Sequence, residues 1–217
     1  MLTSTICLGQ SITNEKQLAE KKLKYEIGFN LYSMTDLRRG IYYDNANYIY
    51  NNNFFSGIFV KRHFNKNVLR LLFDYNQRLV NYKWESKPWY SKTIGDVKAT
   101  EFRFGYEREL GSKKIIPYIS IDLCYNYSKA TGFSTVYGDF VSYQDKEYLI
   151  KRNEYSICYG TGLKYRVTNN ITLSYEFSLQ CGYYNSHDYK SDPYNYIDND
   201  FFYKLNPIRQ MGLSIRF

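Results

Sequence analysis

The stretch Gln210-Met211-Gly212-Leu213-Ser214-Ile215-Arg216-Phe217 decides the fold. Met211, Leu213, Ile215 and Phe217 alternate with Gln210, Gly212, Ser214 and Arg216. A repeat of two puts the first set on one face of a strand and the second set on the other. One face is apolar and ends on an aromatic ring; the other is polar and carries a glycine. Alternation alone does not say which face meets water. A soluble barrel turns its apolar face inward, and a membrane barrel turns it outward.

The same pattern runs upstream. Strand one sets Tyr25, Ile27, Phe29 and Leu31 against Glu26, Gly28, Asn30 and Tyr32. A second strand is predicted over 54–64, with Ser56, Ile58 and Val60 facing out and Gly57, Phe59, Lys61 and His63 facing in. Strand three sets Leu69, Leu71, Phe73 and Tyr75 against Arg70, Leu72, Asp74 and Asn76. Strand four sets Thr100, Phe102, Phe104 and Tyr106 against Glu101, Arg103, Gly105 and Glu107. Strands five, six and seven, around Ile121, Tyr159 and Tyr175, obey the same rule. The polar face collects Glu26, Asp74, Glu101, Arg103, Glu107, Asp122, Lys164, Arg166, Glu176 and Arg216. It also collects Gly28, Gly57, Gly105, Gly160, Gly162, Gly182 and Gly212, small residues that a narrow lumen needs beside large ones.

Tight turns are predicted at Asn65-Lys66-Asn67, Gly111-Ser112-Lys113-Lys114 and Thr168-Asn169-Asn170. Long loops are predicted over 34–53, 84–97, 128–153 and 185–202. Turns follow strands two, four and six, and loops follow strands one, three, five and seven. All turns therefore lie at one end of the sheet and all loops at the other.

Composition narrows the class. The chain has 217 residues, with Tyr 26 and Phe 14, which suits β structure and membrane-interface rings. A mean hydropathy of −0.55 and the lack of a long apolar run exclude a transmembrane helix. A transmembrane barrel survives that test, because its strands show half their residues to lipid. The net charge of +8 reads either as a solvated basic surface or as attraction to anionic headgroups and acidic glycans. The cations look scattered along the chain, which argues against nucleic acid. Cys7, Cys124, Cys158 and Cys181 make no CxxC pair, so zinc and redox motifs are weakly supported, and no metal or cofactor is expected. Cys124 and Cys158 share the inward face, and a bridge between them stays open. Residues 1–9 read as the remnant of a signal peptide, residues 10–23 as a periplasmic lead, and 24–217 as the barrel.

With these residues in place, the chain resembles the small eight-stranded outer-membrane β-barrel proteins of Gram-negative bacteria. Its Tyr and Asn richness, and the strand start Pro117-Tyr118-Ile119-Ser120, look most like the Bacteroidota versions. The resemblance implies an all-β, eight-stranded antiparallel up-and-down transmembrane barrel with periplasmic termini and extracellular loops. It also implies that Gln210, Gly212, Ile215 and Phe217 form the terminal signal read by the β-barrel assembly machinery. Outer-membrane lipid and lipopolysaccharide are then the expected surroundings, with another envelope protein as a further partner.

Three functional classes stay open. The first is a non-enzymatic barrel acting as a structural anchor, a surface binder or an accessory subunit of an envelope complex. The aromatics Tyr42, Tyr43, Tyr48, Tyr50, Trp84, Trp89, Tyr137, Tyr143, Tyr194 and Tyr196, assigned to loops, supply contact area at low entropic cost. They equally suit rim packing. The second is a lipid-modifying enzyme of the lipid A deacylase or acyltransferase type, for which His63 and His187 are the available bases. Neither has the expected His-x-Ser context. The third is a small pore or secretion-system barrel. Inward charges of both signs argue for a plugged lumen instead.

Overall fold

The terminal strand closes a ring. In a computed structural model, which describes residues 24–36, 50–86, 89–138, 141–188 and 197–217, Phe217 N donates to Tyr25 O at 2.8 Å, and Tyr25 N donates to Phe217 O at 3.0 Å. The chain forms eight strands: β1 (Tyr25–Asp36), β2 (Tyr50–Phe64), β3 (Asn67–Ser86), β4 (Trp89–Glu109), β5 (Ile115–Gly138), β6 (Val141–Arg166), β7 (Ile171–Asp188) and β8 (Ile197–Arg216). Each pairs antiparallel with its neighbours in sequence, and β8 pairs with β1, giving a closed up-and-down barrel. The segments 1–9 and 10–23 lie outside the described residues.

The barrel is inside-out relative to a water-soluble one. Arg103 is 2% exposed, while its neighbour Phe104 is 55% exposed. Leu71, Leu123, Tyr159, Leu179 and Ile215 also point outward, and Lys61, Arg70, Glu107 and Lys164 point inward. Eight strands enclose an interior just wide enough for side chains, so large inward groups need gaps opposite them. Tyr118 crosses Gly162, where an added Cβ would sit 2.5 Å from Tyr118 Cζ. Phe59 likewise covers Gly28, where a Cβ would meet Phe59 Cζ at 2.3 Å.

Two bulges set the register near the closing seam. Phe55 has φ 50°, and the β1–β2 pairing shifts between Asn30 and Tyr32. Phe54 and Phe55 both face out, and Ser56 turns inward, where its Oγ donates to Asp74 Oδ1 at 3.3 Å. The outward position expected for Ser56 is therefore wrong, because the bulge adds one residue to the count. On β8 the pairing with β7 skips between Glu176↔Gln210 and Ser178↔Asn206, beside Pro207. Proline cannot donate to a ladder, so it sits where the ladder is already broken.

The long loops are corrected as well. Where loops were expected over 84–97 and 128–153, β3 and β4 stay paired as far as Ser86↔Trp89, and β5 and β6 as far as Gly138↔Val141. The loop expected over 34–53 starts later and ends earlier, since β1 runs to Asp36 and β2 begins at Tyr50. The one over 185–202 also shrinks, since β7 runs to Asp188 and β8 begins at Ile197. Above the apolar belt the pattern inverts, with Val97 and Ala130 buried and Lys98 and Lys129 exposed, so the outward apolar signal stops while the backbone ladder continues. Among the described residues the wall is uneven in height. Pairing of β2 with β3 stops at Gly57↔Asp74, and β1 with β8 at Met34↔Ile208, well below the tops of β3 to β6.

Candidate functional site

The lumen is filled by paired charges. Arg70 on β3 stands at the centre, with Nε donating to Asp122 Oδ1 at 2.7 Å and Nη2 to Asp122 Oδ2 at 2.5 Å. The same guanidinium donates to Glu176 through Nη2 at 3.1 Å, meets it again through Nη1, and reaches Glu107 Oε2 at 3.4 Å. Glu107 accepts from Lys61 Nζ at 2.9 Å and also meets Lys164, which donates to Glu109 at 2.7 Å. Tyr118 OH donates to Glu176 at 3.1 Å. Nearer the loop end, Arg103 Nη2 donates to Asp74 at 2.8 Å, Arg209 meets Glu101, and Lys204 donates to Glu154 at 2.9 Å. Nearer the turn end, Arg216 reaches Glu26 and Glu109, both at 3.4 Å, and Arg166 lies 3.9 Å from Glu109. Charges taken out of water are tolerated when each finds an opposite partner. Here the partners come from different strands, so the pairs cross-link the wall.

Nine of the ten charges assigned to the polar face by alternation thus turn into the lumen, and Arg166 sits at its turn-end rim, 31% exposed and 3.9 Å from Glu109. Lys61 and Arg70 were readable, since both lie on the polar face of their strands. Glu109 continues the alternation of Glu101 to Glu107. Arg209 was not readable: the β8 bulge turns both Arg209 and Gln210 inward, which strict alternation forbids. Of the terminal stretch, Gln210 and Gly212 face the lumen, Ile215 faces out, and the Phe217 ring lies 6.3 Å from that of Tyr25.

His63 belongs to the turn-end part of this network. His63 Nε2 lies 2.8 Å from Glu26 Oε2, and Ser214 Oγ donates to Glu26 Oε1 at 2.8 Å. The carboxylate stands between serine and imidazole, whereas a nucleophilic triad needs the imidazole in the middle. His187 lies on β7, not in a loop, opposite Lys151. Cys124 and Cys158 are free buried thiols with their sulfurs 3.1 Å apart. Among the described residues no group of three or more His, Cys, Asp or Glu is arranged to hold a metal ion.

The outer wall carries aromatics in register. Phe73, Phe102, Tyr125, Tyr155, Tyr183 and Phe201 are successive cross-strand partners from β3 to β8. Rings meet in pairs, Phe73 with Phe102 at 5.0 Å, Tyr125 with Tyr155 at 5.2 Å and Tyr183 with Phe201 at 5.6 Å between centroids. Of the aromatics assigned to loops, Tyr50, Trp84, Trp89, Tyr137 and Tyr143 lie within strands β2 to β6 instead. Tyr42, Tyr43, Tyr48, Tyr194 and Tyr196 lie outside the described residues. The cations that look scattered in the sequence also fall into register, since Lys98 pairs with Lys129 and Lys129 with Lys151.

No protein-family model matches the chain, and no curated protein matches it. Among solved structures it is similar to Ail, the attachment invasion locus protein of Yersinia pestis, at 14% identity and a TM-score of 0.43, covering 90% of this chain and 99% of that one. Neisserial surface protein A is similar at 16% identity and a TM-score of 0.41, covering 89% and 97%. A major outer membrane protein from Thermus thermophilus is similar at 9% identity and a TM-score of 0.46, covering 90% and 100%. Identities this low say nothing about what the chain binds.

Proposed function

We propose that this chain is a non-enzymatic outer-membrane barrel whose lumen is a structural plug and whose working surface is the wall that rises past the membrane. One observation carries this reading. A strand crosses the hydrocarbon layer in about 9–11 residues, yet β4, β5 and β6 have 21, 24 and 26 residues. Roughly half of each lies outside the hydrocarbon. The outward apolar belt supports membrane residence. The clustering of tight turns and both described chain ends at one end supports periplasmic termini and an extracellular rim. The ion-paired lumen speaks against a pore, and the Ser214–Glu26–His63 order speaks against a lipid-modifying triad. Tyr and Asn richness favours a Bacteroidota-type protein. Insertion by the β-barrel assembly machinery is assigned to Gln210, Gly212, Ile215 and Phe217. A short epitope inserted between Gly138 and Val141 should bind antibody on intact cells. If it is reached only after permeabilisation, the orientation is wrong.

A second reading, the accessory subunit of an envelope complex, is favoured by the uneven wall. Among the described residues, β3 beyond Asp74 pairs with β4 alone, and β8 before Ile208 pairs with β7 alone. Open strand edges are templates for strand addition. Purification from native outer membrane followed by mass spectrometry separates the two readings: a stoichiometric partner favours the subunit, and a lone barrel favours the surface binder or anchor.

A further inference from the structure

The feet of β1 to β4 carry cations side by side. Lys24 precedes β1, Arg62 and Arg108 face outward near the ends of β2 and β4, and Lys66 lies in the turn between β2 and β3; all are exposed. Backbone bonds make them neighbours, since His63 N donates to Lys24 O and Glu109 N to Lys66 O, both at 2.8 Å. The acids of the same strand ends, Glu26, Glu107 and Glu109, turn into the lumen and are buried. Among the described residues no ion pair reaches any of these cations. The carboxylate at Phe217 accepts from Tyr25 N instead. The sequence just ahead of Lys24 does not answer them either, since Glu15 and Glu20 are outnumbered by Lys16, Lys21 and Lys22.

These residues share a level because they sit at strand ends. Cross-strand partners climb the wall, as tilted strands require. Tyr25 leads through Arg62, Leu69, Tyr106 and Ile121 to Tyr159, well above Arg166 at the foot of β6. Strand ends joined by tight turns cannot drift apart in that way, and residues 65–66 and 110–114 join β2 to β3 and β4 to β5.

Arg62 is the best defined of the set. Its guanidinium lies over the ring of Phe64 at 4.8 Å and over that of Tyr25 at 5.8 Å, measured to the centroids. The rings hold its plane, and among the described residues its N–H fork makes no hydrogen bond. A planar fork presented this way matches two oxygens of a phosphate. Exposed Ile27, Val60 and Leu69 adjoin it on the outer wall. We infer that Arg62, flanked by Lys24, Lys66 and Arg108, binds the phosphate of an anionic phospholipid whose acyl chains lie along this apolar surface. The site offers positive charge and no exposed acidic side chain to meet a choline or ethanolamine ammonium, so it selects a headgroup of net negative charge. A free phosphate has the same oxygens but gains nothing from the apolar surface.

The inference rests on membrane residence, and its test separates the two. The full chain, with Cys7, Cys124, Cys158 and Cys181 replaced by serine, carries one fluorophore on Leu71→Cys at the turn-end side or on Tyr203→Cys at the loop-end side. It is folded into phosphatidylcholine vesicles containing brominated phosphatidylglycerol or brominated phosphatidylcholine, and quenching gives the local preference between the two lipids. At Leu71→Cys phosphatidylglycerol should be preferred by about fivefold or more, the effect of one cation near the surface. Adding Arg62→Gln should lower that preference roughly fivefold, and Arg62→Lys should lower it less. An unchanged preference in Arg62→Gln overturns the site. An equal preference at Tyr203→Cys makes the attraction general and also overturns it. Displacement of the brominated phosphatidylglycerol by an equal concentration of soluble glycerophosphate overturns the choice of a lipid. A protein that enters none of the vesicles and stays folded in plain buffer refutes membrane residence itself.

Discussion

Replacing Arg70 by methionine should be the most informative single change in the lumen. The side chain keeps an unbranched stem and loses the guanidinium, leaving three carboxylates to find other partners. Glu107 keeps Lys61 at 2.9 Å and its contact with Lys164. Glu176 keeps Tyr118 at 3.1 Å and Arg103 Nη1 at 3.8 Å. Asp122 keeps Arg103 Nη1 at 4.0 Å as its nearest cation. Removing one partner of a buried pair costs about 3–5 kcal/mol, and most of that loss should sit on Asp122. Adding Asp122→Asn should therefore restore about 1–3 kcal/mol, by replacing a stranded charge with a neutral amide. Adding Glu107→Gln should restore little, because it breaks pairs that survive the first change. Urea titrations in lipid vesicles, followed by gel mobility and by the fluorescence of Trp84 and Trp89, measure all three differences. If Arg70→Met unfolds within about 1 kcal/mol of wild type, or if Glu107→Gln rescues as well as Asp122→Asn, the lumen is not held by this set of pairs.

Purified protein in a planar bilayer should show no steady conductance, and reproducible open channels would count against the plugged lumen. Deleting Phe217 should lower the folded fraction in outer membrane, since it removes both hydrogen bonds to Tyr25; wild-type accumulation would mean the last residue is dispensable for assembly. Single labelled cysteines at Phe102, Phe104 and Tyr106, in a background lacking Cys7, Cys124, Cys158 and Cys181, should be quenched by lipid-borne quenchers, while those at Glu101, Arg103 and Gly105 should not. A reversed pattern would make this a soluble barrel.

The belt was legible because burial there is one-sided. Phe102 and Phe104 differ from Arg103 as strongly in sequence as in exposure, and β4 could be read residue by residue. Legibility ended where its cause ended. Past Phe102 the polarity of β4 inverts, with Val97 buried and Asp96 and Lys98 turned outward, so the outward apolar run stops and the stretch read as a loop, although backbone pairing continues through it. Near the seam, the left-handed Phe55 and the break at Pro207 shift the count, which hid the inward turns of Ser56 and Arg209. The lysine row was hidden for a third reason. Lys98, Lys129 and Lys151 are far apart in the chain and become neighbours through register, which a single strand does not encode.

The uneven rim gives the molecule a direction within the plane of the membrane. A barrel of uniform height looks the same to neighbours on every side, and its rotation about the membrane normal changes nothing. Here the described wall is low along β1 and β2 and tall along β3 to β6. Among the described residues, two copies meeting across β1 and β2 touch along shorter strands than two meeting across β3 to β6. On the proposed membrane reading, crowding therefore sorts these barrels by rotation as well as by distance.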